Sequence, residues 1–177
     1  MLPADDLAAM TRRLKRGRLM PDHRGLRCEV DRRGLERLIP HRGPMLLVDG
    51  LAAVDLQGPA VRGWRRLSAS DLGFDGHFPG EPVYPGVLVV EAIGQLALTL
   101  LHFADAGTLD LPATGRSRRV RATHVHHAAF LAPFVPGDTM DLHAEVVESG
   151  LTMIAVGQAY NNDTLAAYAV SEVYVDE

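Results

Sequence analysis

GHFPGEPVYPGVLVVEAIGQ, residues 76–95, carries an imidazole and a carboxylate fourteen positions apart, separated by a Pro- and Gly-rich loop that opens an apolar run. Pro79, Pro82 and Pro85, with Gly80 and Gly86, hold His77 and its neighbours out of helical conformation until residue 87. From there to residue 104 the chain reads as one helix. Apart from Glu91, Gln95, Thr99 and His102 that run holds only Gly, Ala and larger apolar residues. A helix apolar nearly all round belongs in a core. Most glutamates lie on solvated faces, but Glu91 stands where a carboxylate is costly without a partner. Gln95 is four residues on and shares its face, so the two form a polar stripe on an apolar cylinder.

Around this helix the chain reads as antiparallel sheet. Met140, Leu142, Ala144 and Val146 alternate with Asp141, His143 and Glu145, which predicts a strand with its apolar face buried and its polar face in water. Residues 151–160 and 165–175 follow as further strands, and Asn161, Asn162 and Asp163 between them tolerate a hairpin turn. Residues 44–56, 60–67 and 120–131 are the remaining strand candidates. One long apolar helix among six strands predicts an α+β fold, a curved antiparallel sheet wrapped around one central helix. The length of 177 residues suits one domain with a substantial core, and the apolar and charged fractions, 47% and 23%, are ordinary for a globular protein. Residues 104–119 read as a mobile loop after the helix.

The twenty residues quoted above resemble the motif of the (3R)-hydroxyacyl-[acyl carrier protein] dehydratases of the FabZ type. That family has a Gly-His-Phe-Pro-Gly loop, a second Pro-Gly, and a helix that opens on aliphatic residues before Glu-Ala-x-x-Gln. The resemblance extends upstream to residues 39–49, IPHRGPMLLVD, and downstream to Phe130 and residues 133–138, PFVPGD. It covers roughly residues 34–177, which sets a hotdog dehydratase domain there and leaves 1–33 as an N-terminal basic helical extension. The implied fold is the hotdog. The implied reaction is loss of water from a 3-hydroxyacyl thioester on an acyl carrier protein, giving the trans-2-enoyl thioester, in fatty-acid or polyketide chain elongation. An imidazole titrating near neutrality suits removal of the C2 proton, and His77 takes that role. Glu91 is the acid for the departing hydroxyl, kept protonated by apolar surroundings. The Gly86 amide, at the start of the helix, meets the thioester oxygen, Gln95 orients Glu91 or a water beside it, and Phe78, Pro79 and Gly80 form the substrate loop. The resemblance further implies that the His and Glu of one site come from opposite subunits of a homodimer or an oligomer of dimers. No separate cofactor is expected, since the substrate rides on the carrier's phosphopantetheine.

Two departures stand out. Leu131 and Ala132 occupy positions where the family carries cations that receive the carrier protein, so docking is expected to be weaker or to move to Arg116, Arg118, Arg119 and Arg121 or to the N-terminal arm. The arm is the second departure, and both suggest a specialised pathway or a heterodimer with a second dehydratase-like subunit. A dehydratase/isomerase of the FabA type has Asp where this chain has Glu91. A hotdog thioesterase needs a helical carboxylate but not the His-Phe-Pro-Gly loop.

Charge is uneven. Residues 1–37 hold ten Lys or Arg against six Asp or Glu, while residues 38–177 hold eight against sixteen. Within 4–20, Leu7, Met10 and Leu14 recur at helical spacing, and Arg12, Arg13, Lys15, Arg16 and Arg18 crowd the second half, so an amphipathic helix with a solvated basic face is expected, or one that reaches an acidic partner. The acidic balance of the rest excludes nucleic acid as a partner. Cys28 is alone, no secretion signal is read, and the polar residues of the long helix argue against a membrane span, so the chain is expected in the cytoplasm. His41 reads as a structural histidine capping a turn. His124 and His126, at i and i+2 on a strand, could form half a metal site, but no carboxylate or Cys stands at a neighbouring ligand spacing and no metal is expected.

Overall fold

The computed structural model describes residues 2–113, 119–148 and 152–175. The expected apolar helix, α3 (Gly86–Ala106), is the axis of the fold. It has Pro85 at its start, where no helical N–H is needed, and it ends at Gly107 in the left-handed conformation. One antiparallel sheet covers it. Its strands are β1 (Leu26–Val30), β2 (Gly50–Asp55), β3 (Ala60–Arg66), β4 (Val120–Phe130), β5 (Thr139–Glu148), β6 (Thr152–Asn161) and β7 (Thr164–Val175), in the spatial order β1-β2-β3-β5-β6-β7-β4. This is the hotdog arrangement. The chain crosses the sheet through α3, so β4 reaches the far edge and, among the described residues, pairs only with β7. A two-residue turn, Asn162-Asp163, joins β6 to β7 and uses the left-handed tolerance of Asn162, whose φ is 53°.

Alternation along β6 and β7 divides the molecule into two apolar layers. Met153, Ala155 and Ala159 face α3 with Ala167 and Ala169, while Ile154, Val156, Tyr168 and Val170 face the other way. Small residues dominate the inner face because α3 presses close. A side chain on Gly157 would run into Ile93 and sit 2.8 Å from the His143 carbonyl oxygen.

The outer layer corrects the expectation of a solvated polar face on β5. Helix α1 (Ala4–Leu14) ends earlier than the sequence predicted and lies on β6 and β7, burying Leu14 and, after it, Leu19 against Ile154, Val156, Tyr168 and Val170. The buried Gln158 amide closes the end of the arm, accepting from Leu19 N–H and donating to the Leu14 and Gly17 carbonyls. Arg13 forms two 2.6 Å hydrogen bonds with Glu145. Arg18 reaches Asp141 at 2.5 Å and the Asn162 carbonyl at 2.8 Å, and Arg24 pairs with Asp55 at 2.7 Å. His143, fully buried, accepts from Met20 N–H on its Nδ1. Arg13, Arg18 and Arg24 are thus directed onto carboxylates of the sheet, while Arg12, Lys15 and Arg16 stay exposed. An arm whose basic residues are all free for an acidic partner is not what the chain builds.

Three further readings change. Residues 26–30, within the expected extension, are the edge strand β1 of the same sheet, and α2 (Arg32–Leu38) crosses the expected boundary at residue 34, capped by the Asp31 side chain on Gly34 N–H. Only 50–55 of the expected strand 44–56 is a strand. Residues 45–47 run instead along α3, held by Gln95 on Met45 O and Leu47 N and by Arg65 on Leu46 O. Side-chain amide and guanidinium replace a strand ladder there. The part of the expected mobile loop that is described is anchored, with Arg37 donating to the Leu111 and Pro112 carbonyls.

Candidate active site

His77 stands in a loop that closes on itself. Val83 N–H donates to the His77 carbonyl at 2.7 Å, and Phe78 and Glu81 exchange backbone hydrogen bonds across a turn that contains Pro79 and Gly80. The imidazole Nδ1 lies 2.9 Å from the Val83 carbonyl oxygen. A carbonyl only accepts, so Nδ1 carries the hydrogen and the neutral ring offers the Nε2 lone pair. Phe78 stacks on the ring with centroids 4.1 Å apart. Tyr84 N–H donates to the Phe134 carbonyl at 2.8 Å, which ties this loop to the chain beyond β4.

His77 lines a cavity of about 580 Å³ with Gly86, Val89, Phe130, Leu131 and Phe134. Its wall is largely apolar, and the start of α3 opens into it. Pro85 has no side-chain cap to offer, and its carbonyl takes Leu88 N–H at 2.9 Å, so the amide of Gly86 is among the unpaired donors of the helix end. Gly86 is required here by packing. A side chain on it would come within 2.6 Å of the Phe130 ring. Leu131 and Ala132, where cations were expected by resemblance, add to the apolar wall.

Glu91 is elsewhere. Val89 faces the cavity, and two residues further along a helix is a rotation of about 200°, which carries Glu91 to the other side. Its carboxylate accepts from Gln95 Nε2 at 2.9 Å, and His41 Nε2 lies 3.4 Å from the same oxygen. Gln95 is itself buried, and both ends of its amide are engaged. Glu91's side chain is 39% exposed. The hydrogen bond from His41, opposed by partial burial and aided by Gln95, holds the carboxyl below its ordinary range. Apolar surroundings do not keep Glu91 protonated in the single chain, because two polar partners and open water serve the ionised form. His41 is therefore a neighbour of the candidate acid. Sequence reasoning missed this because the contact is tertiary; the placing of His41 just before the segment that runs along α3 was the available sign.

No hydrogen bond or ion pair joins His77 to Glu91 among the described residues. Of the proposed docking cations, Arg116 and Arg118 lie outside the described residues. Arg119 is exposed just before β4, and Arg121, exposed within it, is nine residues from Phe130, about 30 Å in an extended strand.

The comparisons with known proteins show the family. Residues 39–170 match the model of the FabA-like domain family. The chain is 34% identical over 136 residues to a 3-hydroxyacyl-[acyl-carrier-protein] dehydratase FabZ from Nitratiruptor, covering 76% of this chain and 90% of that one. It is 36% identical over 141 residues to the FabZ of Campylobacter jejuni, covering 79% and 93%. The chain belongs to the FabA-like domain family and, within it, to the FabZ type. Among solved structures, the dehydratase heterocomplex ApeI:P from Xenorhabdus doucetiae superposes with a TM-score of 0.61 at 16% identity, over 81% of this chain and 91% of that one, a likeness of fold.

Proposed function

We propose that this chain is a hydro-lyase of fatty-acid biosynthesis that removes water from a (3R)-hydroxyacyl thioester carried on an acyl carrier protein, leaving the trans-2-enoyl thioester. The observation that carries this reading is the placing of His77, with its Nε2 lone pair free, in an apolar cavity shared with the uncapped start of α3. In this scheme Nε2 takes the C2 proton. The electron pair becomes the C2–C3 double bond, the C3 hydroxyl leaves with a proton from Glu91 as water, and the amide end of α3 steadies the charge that grows on the thioester oxygen. Solvent exchange returns both groups to their starting states. Only protons move, so no separate cofactor is needed.

Glu91 faces away from the cavity of its own chain, which supports a site completed by a second copy. Covering Glu91 with the partner subunit removes water from an exposed carboxyl and raises its proton affinity, which the acid role requires. The apolar rim at Leu131 and Ala132 suits the uncharged part of a pantetheine arm. A buried core helix and a lone cysteine accord with a soluble cytoplasmic enzyme.

Mass spectrometry of a 3-hydroxyacyl carrier protein incubated with the enzyme tests the reaction. Loss of one water is expected, and release of free acid would instead mark a thioesterase. His77→Ala and Glu91→Gln are each expected to lower turnover by about a hundred- to ten-thousand-fold. Mixing the two variants restores one complete site per mixed dimer. Absence of any recovery after demonstrated subunit exchange overturns the shared site.

A further inference from the structure

A second cluster of chemically capable side chains lies on the outer face of the sheet. β4 shifts register against β7 between Ala122 and His124 and again between Val125 and His127, and His124 is paired directly with Glu172. Glu172 follows Tyr168 and Val170 in the alternation of β7, so it faces away from α3. The rings of His124 and His126 stack with centroids 5.3 Å apart and planes 13° from parallel. His126 Nε2 is 2.8 Å from Glu172 Oε2, and His124 Nδ1 is 3.8 Å from the same oxygen. One ligand atom from each of the three residues lies within 4.8 Å of the other two. The sequence reading expected no metal because no carboxylate stood near the two histidines. The sheet supplies one from 46 residues further along.

We propose that His124, His126 and Glu172 form a three-ligand site for a first-row divalent transition metal of the zinc type, clamping the edge strand β4 to β7. Two imidazoles and one carboxylate are a borderline donor set suited to such ions, whereas calcium and magnesium call for oxygen ligands. Metal–ligand bonds of about 2.0–2.2 Å in a tetrahedron place ligand atoms about 3.3 Å apart. The His126–Glu172 contact opens and the His124–Glu172 contact closes by roughly half an ångström each to meet that geometry. Burial is graded across the three. The side chains of His126 and Glu172 are 9% and 15% exposed, and that of His124 is 61% exposed, so two fixed ligands are joined by one that swings in from solvent. The fourth position opens to water. Because β4 also carries Phe130, which packs on Gly86, the clamp stiffens the strand that walls the cavity, and it holds whether or not the dehydratase reading does.

Calorimetric titration of the metal-free full-length protein with zinc chloride tests the site. One ion per chain is expected, with a raised melting temperature, and cobalt in its place gives the visible absorption of a four-coordinate centre. His124→Ala removes a mostly exposed ring, and Glu172→Gln keeps the side chain's shape. Each variant is expected to melt near wild type without metal, to bind zinc at least tenfold more weakly, and to lose the cobalt spectrum. A wild-type stoichiometry below one half, or variants that bind zinc as wild type does, overturns the proposal and leaves these residues a histidine–carboxylate pair.

Discussion

Two neighbours with different relations to Glu91 hold its carboxyl below the ordinary range. Gln95 is four residues on, so any helix through this stretch delivers the contact, and the pair was legible in the sequence. His41 is fifty residues upstream and meets Glu91 only because residues 45–47 are strapped to α3 by Gln95. Removing His41 removes the largest influence holding the carboxyl down. In His41→Ala the Glu91 carboxyl is therefore expected to titrate at higher pH than in wild type, followed by carbon-13 NMR of labelled glutamate. An unchanged titration would show that His41 does not govern this group. The placing of His77 was legible for a different reason. Prolines and glycines fix the backbone locally, whatever packs around it. The sides of α3 that His77 and Glu91 face depend on the sheet, and no spacing in the loop reveals them.

The N-terminal arm is an element of the fold rather than an appendage to it. Leu14→Ala is expected to cost about 2–5 kcal/mol, the usual range for emptying a buried leucine site, measured by urea unfolding. Arg13→Ala should cost less, about 1 kcal/mol, because half of the Arg13 side chain remains in water. Deleting residues 1–20 strips the outer apolar layer and leaves Glu145 and Asp141 short of partners, so a larger loss than either substitution is expected. If the shortened chain unfolds at the same urea concentration as the full one, the arm contributes nothing. The charge imbalance between the two segments was visible in the sequence, but its resolution was not, since complementary charges pair as readily between molecules as within one. β1 escaped notice because four of its five residues are not buried and the strand lacks an apolar alternation. α2 is only seven residues long and contains a glycine.

Across the whole molecule the carboxylates beneath the arm set the acid limit of stability. Burial raises the Asp141 carboxyl, but hydrogen bonds with His143 and Arg62 outweigh it and hold the group well below its usual range; Asp55 is also lowered, burial being outweighed by Arg24 and the Gly58 and Gln57 amides. Groups depressed in the folded state add stability that is complete above their unfolded value of about 4 and is lost as pH falls through the folded one. Melting temperature is expected to fall steadily below about pH 4, and in Asp141→Asn the same scan should start lower and slope less. A slope as steep as wild type in that variant would assign the acid limit to other groups. The chain order of the elements has a consequence for synthesis. α3 is long and apolar enough to cross a bilayer, and it leaves the ribosome before any of the four strands β4–β7 that close over it. A growing chain long enough to bring residue 107 out of the exit tunnel, with β4–β7 still inside it or not yet made, exposes a greasy rod with only β1–β3 of the sheet to shelter it. Such a stalled chain is expected to crosslink to a ribosome-bound chaperone far more than a stalled chain extended by a linker long enough to carry β7 out of the tunnel, and equal crosslinking of both would show that the early strands already suffice to hide the helix.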